Sequence, residues 1–462
     1  MKIEFFGACQ TVTGSQHIIT INGQKLLLDC GFWQGRRKDM ERINREFPFD
    51  PKSIDAVILS HAHIDHAGNI PNLVKQGFRG KIYCTKAAAQ ITELMLEDSA
   101  RVQVYDVGYL NKKLPMGAEP LQPIYTPEDV APAMKHFVGV NYHEEFTPLA
   151  GVKAYFHDAG HVLGSALTTL ELVENGEIVR LSFTGDLGRK FLPILRDPEQ
   201  IRAVDYLISE STYGDRTHDA LSTSYLDLAR AINETYTRGG KVIIPSFALE
   251  RAQELLYIIH ELINQKAIPP LFVYLDSPLT ERISEVFSDY PDLLDEETQK
   301  TFLEQGKDPF IFTTLRFVET PEESKKLNNI KQPCIIISAS GMCEFGRIRH
   351  HLKNSIADKK NTVVIVGFMA ENTLGRRLLE GAKKVNILNE TLPVKAKIVV
   401  LNSLSAHADQ YDLIKFIQGV GKLKKLFLVH GEKNAMTTLA EKLADAPIGE
   451  IVIPEKGEDF EI

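Results

Sequence analysis

Cysteine is scarce in this chain: five among 462 residues, at Cys9, Cys30, Cys84, Cys334 and Cys343. The number is odd and no C-x-x-C pair occurs, which argues against a disulfide framework and against a thiolate zinc site. The five read instead as small buried hydrophobes in a reducing compartment, so a cytoplasmic location is expected. No apolar run reaches the ~18 residues that a membrane helix needs, and no membrane partner is expected. Glu4 falls where a signal peptide would place its apolar stretch. Internal repeats and low-complexity tracts are also missing. Excess positive charge is lacking too: the net charge is −8, which argues against coating of nucleic acid by bulk attraction. What remains is 44% hydrophobic and 25% charged, the balance of a folded protein. The length is too great for one ordinary core, so two domains are expected.

The first part alternates strand patterns with turns. Ile3 to Phe6, His17 to Ile21 and Lys25 to Asp29 read as strands, the last two joined by an Asn22-Gly23 hairpin turn. Ala56-Val57-Ile58-Leu59 is continuously apolar, as in a buried strand. Ala154 to Phe156, Ala166 to Leu170 and Ile178 to Phe183 follow, with Asn175-Gly176 as a second hairpin turn. From about Tyr206 the rhythm becomes strand, helix, strand, the pattern of an open α/β sheet. Leu221 to Arg238 and Leu249 to Leu262 read as helices. Val242 to Pro245, Leu271 to Tyr274, Cys334 to Ile337 and Val363 to Val366 read as strands. After Val394 short strands return, at Ile398 to Val400 and Leu426 to Val429, while Gly306 to Glu323 carries no clear pattern.

The densest chemical signal is Ser60-His61-Ala62-His63-Ile64-Asp65-His66-Ala67-Gly68, directly after the buried strand. Neutral imidazole and carboxylate are the ligands of hydrolytic zinc or manganese sites. In an extended loop His61 and His63 point the same way, because side chains alternate with period two. A helix beginning near Asp65 would turn Asp65 and His66 toward a second ion. Three further ligand-type residues each lie just beyond a strand and next to glycine: His161, Asp186 and His430. Glycine there permits a sharp turn and close approach.

This ordered set resembles the metallo-β-lactamase superfamily of four-layered αββα hydrolases. Leu26-Leu27-Leu28-Asp29-Cys30-Gly31 is similar to its first motif, whose Asp braces the ligand loop without touching an ion. The resemblance implies that His61, His63 and His161 bind one metal, that Asp65, His66 and His430 bind another, and that Asp186 bridges them. It covers about residues 1–205 and 390–462.

The intervening residues narrow the branch. Ser209-Glu210-Ser211-Thr212, Leu404-Ser405-Ala406-His407 and Val429-His430 resemble the three extra motifs of the β-CASP nucleases. Ser338-Ala339-Ser340-Gly341-Met342 and the stretch from Gly367 to Arg377 are similar to parts of the β-CASP domain. The implied architecture is an α/β protein: a metallo-β-lactamase sandwich (1–205 plus 390–462) with an α/β β-CASP domain inserted at 206–389. The implied activity is hydrolysis of RNA phosphodiester bonds with two Zn2+ per chain, manganese also suiting the ligands. Asp65, His407 and Glu210 would be catalytic, His407 as proton donor to the leaving 3′ oxygen with Glu210 holding it. A histidine at the third motif, here His430, marks the RNA-directed members. Endonucleolytic cutting to a 5′ phosphate and 3′ hydroxyl is expected; a 5′→3′ exonuclease and a small ester or thioester hydrolase are the alternatives. Ser338, Ser340, Gly341 and Arg376 would hold phosphates of an RNA expected to be single-stranded. Without further RNA-binding domains, binding would rest on the two core domains or on oligomerisation, such as a homodimer.

Overall fold

The structure, a computed structural model, describes residues 1–35, 37–115, 117–300, 306, 308–367, 369 and 372–462. It divides into two compact units: Met1–Phe191 with Arg196–Thr217 and His407–Ile462, and Leu192–Leu195 with His218–Ala406.

The first unit is built on two seven-stranded sheets. One has the order Asp459–Glu461, Lys2–Phe5, His17–Ile21, Gln24–Leu28, Ala56–Ile58, Lys81–Thr85, Phe137–Val140. The other runs Ile448–Val452, Leu423–Val429, Tyr206–Glu210, Glu177–Phe183, Ala166–Glu174, Val152–Asp158, Phe146–Leu149. Alternation along the strands sends one face of each sheet into a shared core, where Phe5, Ile19, Leu28 and Ile58 meet Phe156, Leu170, Phe183 and Phe427. The outer face of the first sheet is covered by helical residues such as Ile70, Leu73, Ala88 and Ala133. Helices Gln410–Val420 and Lys433–Lys442 cover the second through Leu413, Ile417, Met436 and Leu439. The layers are therefore α, β, β, α, as the resemblance implied.

Both hairpin turns read from the sequence form. Asn22 and Gly23 have φ of 49° and 76°, and Asn175 and Gly176 have 54° and 83°. Two successive positive φ values match the right-handed twist of the flanking strands, which is why Asn-Gly is favoured there. They close the registers Ile21 opposite Gln24 and Glu174 opposite Glu177.

The second unit is an all-parallel six-stranded sheet in the order Leu315–Phe317, Phe272–Asp276, Cys334–Ser338, Lys241–Pro245, Thr362–Ile365, Lys397–Val400. Its central strands are buried throughout, as expected of parallel strands covered on both faces. The helices Leu221–Thr237 and Arg251–Asn264 fall close to the segments read as helical. Strand Lys397–Val400 lies beyond the segment expected to close the insert at 389, yet it pairs with Thr362–Ile365 in this sheet. Among its described residues, the unpatterned stretch from Gly306 to Glu323 holds one three-residue strand, Leu315–Phe317, and the first turn of helix Pro321–Leu327.

Candidate metal centre

The residues singled out after strands converge at strand ends of the first unit. Strand Ala56–Ile58 leads into Ser60 and His61, and His63 caps the short helix Ile64–Ala67 with extended backbone. His161 follows Val152–Asp158, Asp186 follows Glu177–Phe183, and His430 follows Leu423–Val429. Two close approaches need glycine. A Cβ on Gly31 would lie 1.6 Å from the Asp65 carbonyl oxygen, and Gly185 (φ +53°) lets the Asp186 turn press on Ser60.

The ligand atoms form two groups joined by one carboxylate. His61 Nε2 lies 3.0 Å from His63 Nδ1, and His161 Nε2 lies 3.3 Å from the same atom. Asp186 Oδ2 is 3.4 Å from His61 Nε2 and 3.5 Å from His161 Nε2. On the other side, His66 Nε2 is 3.2 Å from His430 Nε2, and Asp65 Oδ2 is 3.5 Å from that atom. Asp186 Oδ1 is 3.2 Å from His66 Nε2 and 3.4 Å from His430 Nδ1. Ligands at zinc distances of about 2.0–2.2 Å in a tetrahedron stand roughly 3.3–3.6 Å apart.

The chemistry of the donors also fits cations. Asp186 Oδ1 is buried and accepts no hydrogen bond, although imidazole nitrogens surround it. Such an atom is costly unless a cation meets it. Burial holds His63 down to about 3 and lowers His61 and His161, so these rings are neutral, the form that ligates. Burial acts on Asp186 in the raising direction, but His430 and His66 outweigh it and keep the carboxylate ionised.

Asp29 stands behind this centre. Its Oδ2 is 2.6 Å from His66 Nδ1 and accepts from Ser60 Oγ at 3.0 Å, while Oδ1 accepts from the Ser60 N–H at 2.8 Å. Holding the Nδ1 proton directs Nε2 toward an ion. Ser60 Oγ also meets His61 Nδ1 at 3.0 Å, and Thr212 Oγ1 meets His430 Nδ1 at 3.2 Å. The sequence reading assigns no role to Ser60 or Thr212, although both stand inside quoted motifs. Asp29→Ala is expected to weaken metal binding about 10- to 100-fold. Competition with a graded chelator measures this, and unchanged retention would contradict the bracing role.

Glu210 and His407 lie beside the cluster. Glu210 is fully buried. Its Oε1 accepts from the Leu187 N–H at 2.6 Å and lies 3.1 Å from His407 Nδ1. Its Oε2 accepts from the Thr212 N–H at 3.3 Å. His407 is held by a bridge to Gly188, and its ring lies 4.5 Å from that of His161. Burial would lower its basicity, but the Glu210 and Asp186 carboxylates win and raise it to about 9. Asp186, Glu210 and His407 also have the spacing of a metal group. The facing of Nδ1 toward Glu210 favours a proton-handling pair.

In the second unit, Ser338 ends strand Cys334–Ser338, and Ser340 and Gly341 follow in the loop after it. Ser338 Oγ donates to the Asp276 carbonyl at 3.0 Å, so its hydroxyl shapes the loop. Ser340 Oγ accepts from the Phe345 N–H at 3.3 Å. Arg376 lies on helix Leu374–Leu379, which the Gly375 N–H ties to the Met342 carbonyl at 3.1 Å. Arg376 Nε donates to Glu380 Oε1 at 2.7 Å, and these two line an open depression of about 380 Å³ with Asn372 and Arg377. Phe368, Ala370 and Glu371 of the quoted stretch lie outside the described residues. Arg347, another basic residue after the loop, is committed to structure: Nη1 donates to buried Asp276 Oδ1 at 2.6 Å. Asp276 also binds His351 and Ser324, and these bonds overcome burial to keep its carboxyl below the usual range.

Family comparison agrees with this geometry. Residues 11–246 match the metallo-beta-lactamase superfamily, residues 252–378 the Beta-Casp domain, and residues 391–454 the Zn-dependent metallo-hydrolase RNA specificity domain. Ribonuclease TTHA0252 of Thermus thermophilus is 37% identical over 444 residues, 96% of each chain. Endoribonuclease YSH1 of Eremothecium gossypii is 28% identical over 96% of this chain, which spans 56% of that protein. A crystal structure of a protein of unknown function from Enterococcus faecalis V583 shares the fold, with a TM-score of 0.55 at 15% identity over 99% of each chain. The chain belongs to the β-CASP ribonuclease family of the metallo-β-lactamase superfamily.

Proposed function

We propose that this chain is an endoribonuclease that hydrolyses phosphodiester bonds of single-stranded RNA with two zinc ions, leaving a 5′ phosphate and a 3′ hydroxyl. The observation that carries the reading is the sharing of Asp186, whose Oδ2 faces His61 and His161 while Oδ1 faces His66 and His430. His61, His63 and His161 would hold one ion, Asp65, His66 and His430 the other, and Asp186 both. Bound ions would supply Lewis acidity, lowering the pKa of water toward about 7 and neutralising charge on phosphoryl oxygens. Zinc is favoured over manganese because imidazoles outnumber carboxylates in this set.

The chain's own residues supply the proton. Glu210 keeps the Nδ1 proton of His407 on its side, so the proton delivered to the leaving 3′ oxygen is the one on Nε2. In the second unit, the N–H groups and hydroxyl of Ser340 and Gly341, with Arg376, are the proposed holders of RNA phosphates. RNA as substrate rests on the likeness to Ribonuclease TTHA0252 and to the RNA specificity domain. The endonucleolytic mode rests on the likeness to Endoribonuclease YSH1.

A circular single-stranded RNA separates the modes, because it has no end to enter. Zinc-loaded protein is expected to open the circle and yield fragments with 5′ phosphates. Intact circles beside mononucleotide release from a linear 5′-phosphorylated RNA would establish an exonuclease instead. Turnover of an aryl ester with both RNAs untouched would assign the centre to a small-ester hydrolase.

A further inference from the structure

Away from the metal centre, the first unit brings together another set of ligand-type atoms. His143 Nε2 lies 3.2 Å from Glu199 Oε1, and His157 Nδ1 lies 3.7 Å from Glu199 Oε2. The two rings are 5.4 Å apart and inclined at 69°. One ligand atom from each of the three residues lies within 4.8 Å of the other two. We propose that His143, His157 and Glu199 form an accessory site for one divalent ion of the zinc class.

Two imidazoles and a carboxylate are a ligand set of open zinc sites. The spacings of 3.2 and 3.7 Å lie close to the tetrahedral edges of roughly 3.3–3.6 Å that zinc distances give. A single shared ion would accept a lone pair from each ring and from the carboxylate, so that all three groups are satisfied at once.

The set is held before any ion arrives. His143 has left-handed backbone (φ 61°), pinned by its N–H donating to the Phe156 carbonyl at 2.8 Å. That conformation is uncommon for a residue with a Cβ and points to a local demand on the side chain. His157 sits in strand Val152–Asp158, paired opposite Leu167. The Glu199 N–H donates to the Asp158 carbonyl at 2.9 Å, and the Asp158 N–H returns a bond to Glu199 Oε1 at 3.3 Å. The side chains of His143, His157 and Glu199 are 60%, 27% and 37% exposed, which leaves room for water as the remaining ligand.

The site also touches the scaffold of the metal centre. Asp158 Oδ1 accepts from the Gly160 N–H at 2.9 Å, and Gly160 opens the turn that carries His161. An ion held by Glu199 would brace this turn from outside, without contributing a ligand to the centre.

The test counts zinc bound to the full-length chain after equilibrium dialysis against a zinc buffer. The native chain is expected to bind one equivalent more than Glu199→Gln, and one more than His143→Asn, which tolerates the left-handed backbone. In an Asp186→Ala background, the accessory equivalent should persist and then disappear on adding either change. Equal zinc in the native chain and in the folded single variants would overturn the proposal. Should Glu199→Gln fail to fold, His143→Asn alone decides. The comparison is a difference, so it holds however many ions the metal centre takes.

Discussion

Asp186→Ala is expected to empty the metal centre and to lower RNA cleavage by about 10³-fold or more, the equivalent of ~4 kcal/mol of lost electrostatic stabilisation. The carboxylate lies within 3.5 Å of nitrogens from four histidines, two on each side. Asp65, the other carboxylate of the set, falls in the group of His66 and His430. Its removal leaves converging imidazoles with no shared negative charge, so the two halves cannot hold ions a few ångströms apart. Asp186→Asn keeps the shape and loses the charge, and it should fail in the same way. Metal analysis by mass spectrometry, read beside single-turnover cleavage, gives both numbers. Full metal content at native rate would remove the bridging role.

His407→Ala should behave differently: the metal content stays and the rate falls by about 10²- to 10⁴-fold, the range for loss of a general acid. The fold should tolerate the change, because Glu210 retains the Leu187 and Thr212 N–H bonds and is not left bare. Added imidazole should restore part of the rate if the missing function is proton delivery. Substrates with a better leaving group should suffer less, since they need less protonation. A variant that loses metal together with activity would make His407 a ligand instead, alongside Asp186 and Glu210.

The metal centre was legible because its chemistry is local. His61, His63, Asp65 and His66 fall within six residues after a buried strand, so spacing alone brings them together. His161, Asp186 and His430 were legible through a shared local signal, a strand followed by a glycine-flanked turn. Their convergence is a property of topology, since the strands ending at Phe183, Glu210 and Val429 lie side by side and parallel. The triad of His143, His157 and Glu199 carried no such signal. Its members are separated in sequence, and the backbone bonds that join them run from the loops of His143 and Glu199 to strand Val152–Asp158.

Other features were hidden for different reasons. The 26-residue helix Lys86–Asn111 is absent from the sequence reading; its later turns expose Val104, Tyr105 and Tyr109, which blurs the apolar period. Arg347 and Arg376 both follow the 338–341 loop in the sequence, and only Arg376 is singled out there. Only the fold shows that Arg347 is spent on buried Asp276 while Arg376 lines an open depression. Partners of that kind depend on what neighbouring strands bring, which local pattern does not encode.

The most direct measurement is cleavage of an end-labelled single-stranded RNA by one preparation in three states: as purified, stripped by a chelator, and reloaded with zinc. A two-zinc endonuclease mechanism gives internal fragments ending in 3′ hydroxyls in the first state, none in the second, and recovery in the third as about two equivalents return. Cleavage that persists in protein shown to be free of metal would contradict it.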